Sequence, residues 1–179
     1  MRARSVRTSR HGEWTLTCAV GAVVLTLAVS GCSSSPSGPK AKDSAAKMST
    51  DARWVAAKVR AGFKPLGVFT VTQDGTKAVS CGHGKASYSF AGHQSFRISS
   101  GGNYLDFTTV FGSSKLHDER GYDVDPDATR QDDEYTSYDT PLVNKKTGIH
   151  LTLRATASGE HATTELWTVT AHTDCLRAG

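Results

Sequence analysis

The densest chemistry in the chain lies between Asp118 and Asp139, where nine carboxylates (Asp118, Glu119, Asp123, Asp125, Asp127, Asp132, Asp133, Glu134, Asp139) face two bases, Arg120 and Arg130. Asp123, Asp125, Asp127 and Glu134 fall at positions 1, 3, 5 and 12 of a twelve-residue calcium loop, a spacing that lets one turning backbone aim several oxygens at a hard cation. Three neighbours oppose that use. Ala128 replaces the glycine of the sharp turn at position 6, Pro126 fills position 4, and Arg130 puts a positive charge at position 8. The default expectation is a solvated acidic loop, mobile for lack of counter-charge, with a calcium-stabilised surface module as its rival. Tyr122, Tyr135 and Tyr138 flank or lie within the run, where rings with polar tips suit contact with a partner.

The other reactive residue types are dispersed. His83, His93, His117, His150, His161 and His172 contain no H-x-x-x-H or H-E-x-x-H pair, so no zinc-type helix motif is present. Gly82-His83-Gly84-Lys85 lacks both the first glycine and the final Ser/Thr of a phosphate loop, with Val79 and Ala86 in those places. Gly92-His93-Gln94-Ser95-Phe96 sets a serine near a histidine. It lacks the last glycine of a nucleophile elbow, which leaves an exported hydrolase as an alternative and names no catalytic residue.

The elements that must position these residues are read from periodicity. Ala45 to Gly62 is expected to be a helix, with Trp54, Val55, Val59 and Gly62 on one face and Lys64-Pro65 stopping it. Leu66 to Thr72 and Lys77 to Cys81 read as strands joined at Asp74-Gly75, a strong hairpin dipeptide. Lys85 to Phe90 and Gln94 to Ser99 alternate as half-buried strands. Gly148 to Ala157 turns Ile149, Leu151 and Leu153 inward, and Glu165 to Cys175 alternates from Leu166 or Trp167 through Val169 and Ala171, with Gly159-Glu160-His161 in the intervening turn. Asn103 to Phe111 fits both periods. Leu105, Phe107 and Thr109 alternate as in a strand, while Tyr104, Phe107 and Phe111 form a helical stripe; Thr108-Thr109-Val110 favours the strand.

At the N-terminus, Arg2 to His11 is positively charged and Trp14 to Val29 is apolar, the layout of an export signal too short and too rich in threonine to be a good membrane span. The signal ends in Val29-Ser30-Gly31-Cys32, which resembles the lipobox of bacterial lipoproteins. That resemblance implies cleavage before Cys32, a diacylglyceryl group on its sulfur with acyl chains such as palmitate, and residence at the outer face of the cell membrane. Two acyl chains hold where one is marginal, at about 0.8 kcal/mol per buried methylene. Residues 32–44 then form the lipidated cysteine and a Ser/Pro/Gly/Lys tether, and 45–179 form one domain. Cys18 departs with the signal and Cys32 is consumed, so Cys81 and Cys175 remain as an even pair in an oxidising compartment; a disulfide is expected, with a metal site using Cys81, His83 and Cys175 as its rival.

The charge balance supports this division. The chain carries 21 Lys+Arg and 17 Asp+Glu, but Arg2, Arg4, Arg7 and Arg10 leave with the signal against a single Glu13, so the exported part is nearly neutral and shows no nucleic-acid footprint. The expected fold class is α+β, one helix packed on a mostly antiparallel sheet in two layers with one disulfide. Trp54 to Pro65, Cys81 and the Trp167 to Cys175 ending also resemble small uncharacterised lipoproteins of high-GC Gram-positive bacteria, a likeness that implies no common activity. The functional expectation is a membrane-anchored, extracytoplasmic, non-catalytic binding or accessory domain that engages an envelope protein or small ligand and needs no cofactor beyond a calcium ion if the acidic run holds one.

Overall fold

In a computed structural model of the chain, residues 38–98, 105–128, 132–133, 136–159 and 161–178 are described, the pairs 105–106 and 132–133 through their backbone alone. Helix α1 spans Ala41–Gly62. Ala41, Ala45, Met48, Ala52, Val55, Ala56 and Val59 recur every three or four residues and are all buried, giving one continuous apolar stripe. The helix therefore begins four residues before the expected Ala45, and residues 41–44, expected as tether, are helical. Lys40 accepts the first helical bond from the Ser44 amide and bridges in parallel to Arg177. At the other end the Phe63 amide bonds to Val59 O, and Lys64-Pro65 starts the first strand.

The strands are β1 (Lys64–Gly82), β2 (Lys85–Arg97), β3 (Asp123–Val124), β4 (Asp132–Asp133), β5 (Ser137–Asn144), β6 (Ile149–Ala157), β7 (Thr164–Thr173) and β8 (Leu176–Arg177). They form one antiparallel sheet in the order β1-β2-β7-β6-β5-β3, with β4 added to β5 and β8 to β2. The four short strands expected between Leu66 and Ser99 are in fact two long ones, β1 and β2. Asp74-Gly75 is not their turn: it lies within β1 at one of several register shifts, where Gly75 has φ +82° and a Cβ would collide with the Ser49 hydroxyl of α1. Ser49 Oγ donates to Asp74 O at 2.7 Å, so the glycine's positive φ serves a bulge against the crossing helix. The hairpin turn is His83-Gly84. Both residues have positive φ (52° and 68°), as a two-residue type I′ turn requires, and Gly82 pairs with Lys85 across it.

Helix α2 (Leu105–Arg120) replaces the strand expected over Asn103 to Phe111. Its buried face is Thr108, Thr109 and Leu116 with Gly112 between them, while Phe107 and Val110 are exposed. A Cβ on Gly112 would lie 2.8 Å from Leu153 Cδ1 and 3.3 Å from Val55 Cγ2, so the glycine sets how closely α2 approaches α1 and the sheet. The inward stripe is small and partly polar, and hydrophobic periodicity could not reveal it.

Both helices lie on one face of the sheet, and the α+β layering holds with a second helix added. Trp167, not Leu166, opens the inward alternation of β7: it is fully buried and makes an edge contact with Phe96 at 6.4 Å, while Leu166 is 42% exposed. Cys81 and Cys175 form the expected disulfide across 94 residues. In the chain-entropy account such a closure stabilises by about 4–5 kcal/mol. The rival metal reading of Cys81, His83 and Cys175 falls with it.

Candidate functional site

Strand alternation divides the molecule's polar groups into two sets. Residues of odd number on β6 and β7 point under the helices, and those of even number point to the opposite face, where no helix packs. Register then builds rows across that open face: Ser89, His172, His150 and Val143; Ala91, Thr170, Thr152 and Pro141; His93, Thr168, Arg154 and Asp139. The face is rich in hydroxyls and imidazoles and charged along its β5 side.

His150 and His172, far apart in sequence, are cross-strand neighbours with rings stacked 5.0 Å apart at an interplanar angle of 6°. His150 sits between two carboxylates, Nδ1 at 3.0 Å from Asp125 Oδ2 and Nε2 at 3.1 Å from Asp174 Oδ1. The His150 hydrogen bond, aided by the Asp127 amide on Asp125 Oδ1, holds the Asp125 carboxyl below its ordinary value. Partial burial, together with the neighbouring His150, pushes the His172 imidazole below its ordinary value. On the same face Arg154 grips Asp139 through Nε and Nη2, both at 2.6 Å, and that pairing holds the guanidinium proton more firmly.

A second carboxylate centre lies under the helices. Asp51 of α1 is 1% exposed; its Oδ2 accepts from Lys47 Nζ at 2.6 Å and from the Tyr122 hydroxyl at 3.1 Å, and Arg120 Nη1 stands 3.4 Å from Oδ1. Arg120 is stacked over the Trp54 ring at 4.5 Å, which fixes its direction. Burial, and then the Asp51 charge, raises the Tyr122 hydroxyl far above the ordinary tyrosine range. Tyr122 is wholly buried, so its expected role at a partner-binding rim is corrected: its ring is core, and its hydroxyl closes this network. Tyr135 lies outside the described residues, and Tyr138 is half-buried on β5.

The acidic run is not one solvated loop. Its start finishes α2, Asp123–Val124 pairs with Val143 and Leu142 of β5, and Asp125 and Asp139 are buried with partners. Of the calcium set, Asp123 faces His117 at 3.3 Å, Asp125 is engaged by His150, Asp127 is exposed, and Glu134 lies outside the described residues. Among the described residues no group of three or more His, Cys, Asp or Glu is arranged to hold a metal ion. His93 and Ser95 sit mid-strand on β2, and His83 and His161 are in turns. Cys32 lies outside the described residues, and no helix among those described is long and apolar enough to cross a membrane. The His150 cluster and the Asp139–Arg154 pair escaped sequence reasoning because strand register, not spacing, assembles them. Comparison with protein-family models, curated proteins and solved structures finds no match to this chain.

Proposed function

We propose that this chain is an extracytoplasmic lipoprotein, anchored through Cys32, whose domain works as a non-catalytic binding or accessory module. The observation that carries the reading is the open sheet face: β2, β7 and β6 present a plane of Thr, Ser and His side chains that the two helices leave uncovered. Its groups are ordered before any partner arrives, because Asp139 holds Arg154 and two carboxylates hold His150. Preorganised donors and acceptors lose little freedom on binding. Both ring nitrogens of His150 are already engaged by carboxylates, an arrangement suited to fixing a ring more than to activating a hydroxyl nucleophile.

Two measurements test this reading. Membrane fractionation of Cys32→Ser should move the domain into the soluble fraction; continued sedimentation with membranes would remove the anchor. A photo-crosslinker at Thr170, in the middle of the open face, should give a discrete adduct in the native envelope, and the same group at Thr50 on α1 should not. Equal labelling from both positions would show that the face has no special role.

A further inference from the structure

The end of the sheet where the tether enters is basic, and its charges come from four separate stretches of chain. Lys40 and Lys42 stand at the start of α1, Lys85 follows the His83-Gly84 turn, Lys145 and Lys146 form the β5–β6 turn, and Arg177 lies on β8; all six are exposed. The backbone gathers them. Lys40 bridges to Arg177, and Arg177 pairs with Lys85. Ser44 Oγ of α1 donates to Thr147 O at 2.7 Å, pinning the Lys145-Lys146 turn against the helix, while the Asp174 amide bonds to Gly148 O. The acids at this end are Asp43, Asp125 and Asp174, with Glu119 and Asp123 beside the Lys145-Lys146 turn; Asp125 and Asp174 are both engaged by His150. None of the six bases makes an ion pair among the described residues.

Beside the turn is an open cavity of about 490 Å³ lined by Lys47, Arg120, Lys145 and Lys146 together with Glu119 and Asp123. Glu119 is paired with Lys58 and Lys115, Asp123 faces His117 at 3.3 Å, and Lys47 and Arg120 share the buried Asp51. The cations of the cavity without an ion-pair partner among the described residues are Lys145 and Lys146, and they make its rim positive.

We infer that this tether-end surface docks on an anionic phospholipid bilayer, the exposed bases lying over the headgroups and the cavity accepting a lipid phosphate. The orientation rests on the reading of Cys32 as the anchor. With α1 starting at Ala41, the steps from Cys32 to Lys40 span at most about 28 Å, so an anchored chain holds this end nearest the membrane. Charge complementarity supplies the rest: each base close to an anionic leaflet strengthens binding about fivefold, and salt weakens it. The open sheet face runs away from this end along β2, β6 and β7 and stays free for a partner.

The test removes the anchor from the question. The chain from residue 33 onward, which contains the whole compact unit Pro36–Gly179 and its disulfide, is mixed with phosphatidylglycerol-containing vesicles and with purely phosphatidylcholine vesicles. Sedimentation with the anionic vesicles alone is expected, falling as salt is raised to 0.5 M. Lys145→Gln with Lys146→Gln should weaken it about 25-fold, while Arg60→Gln with Lys64→Gln, at the opposite end of the sheet, should leave it unchanged; circular dichroism verifies that both variants are folded. No binding to anionic vesicles, equal binding to both vesicle types, or equal losses in the two double variants would overturn the inference. Release of Cys32→Ser from cells bears on the anchor separately, so the two ideas fail independently.

Discussion

Asp51 and Asp125 are both buried carboxylates that tie distant segments together, yet they are held by different kinds of partner. Asp51, on α1, is surrounded by the Lys47 ammonium, the Arg120 guanidinium and the Tyr122 hydroxyl, which burial and the Asp51 charge raise far above the ordinary tyrosine range. Asp125, at the edge of the open face, is held by His150, whose ring also meets Asp174 and stacks on His172. The first centre is thus a clamp of two cations and a phenol joining α1, α2 and the chain after it, and the second is a clamp of imidazoles, of which His172 is held below its ordinary value by partial burial and by His150.

The largest effect that would break this contrast is at Asp51. Asp51→Asn removes a carboxylate that is 1% exposed from between Lys47 and Arg120, which are each about a third open to solvent, and denaturant unfolding should show a loss of about 3 kcal/mol; a loss below about 1 kcal/mol would mean that this clamp is no stronger than the one at the open face. Tyr122→Phe removes one hydrogen bond from Asp51 and keeps the ring, so about 1–1.5 kcal/mol is expected, with the core otherwise intact by near-ultraviolet dichroism. Asp174→Asn acts at a rim where the acid is more than half exposed, and its cost should stay below about 0.5 kcal/mol in the same titration.

The fourth expectation concerns pH. The His172 imidazole titrates lower folded than unfolded, so the folded state prefers it neutral; its contribution is complete above the ordinary histidine value near 6.5 and is lost as pH falls below it. Asp125 titrates low as well, and its contribution disappears only in acid, below the ordinary carboxylate value of 3.8. Stability measured from pH 7.5 down to 5 should therefore decline in the wild type and decline less in His172→Gln. An unchanged slope in that variant would assign the decline elsewhere. The smallest expected effect is calcium: titration to several millimolar should leave the melting temperature where magnesium leaves it, because His117 and His150 already occupy Asp123 and Asp125. A calcium-specific rise abolished by Asp123→Ala would restore the calcium loop.

How much of this was legible in the sequence depended on the length of the physical signal. α1 declared itself because its buried stripe is continuous and apolar, and β6 and β7 because Ile149-Leu151-Leu153 and Trp167-Val169-Ala171 alternate cleanly. α2 hid because Thr108, Thr109 and Gly112 form its buried face, so the residues with strand propensity were the ones helix packing needed. β5 hid for the opposite reason: Asp139 closes the acidic run and Pro141 is of a type that central strands disfavour, yet Asp139 is satisfied by Arg154 and the Pro141 carbonyl accepts the Asp125 amide. The disulfide could be reasoned from cysteine count and compartment. The two carboxylate centres could not, since each joins residues more than twenty positions apart through packing or register.

The irregular run of β1 has a consequence for encounters between copies of this chain. Lys64–Gly82 is a 19-residue edge, long enough to template a strand from another molecule. Register shifts at Leu66/Thr70, Val71/Gln73 and Asp74/Ala78 twist this edge and interrupt its row of hydrogen-bonding groups, with Pro65 removing a donor at its start. The same bulge that lets α1 cross close to Gly75 thereby denies a second copy a straight edge on which to begin a sheet-to-sheet aggregate.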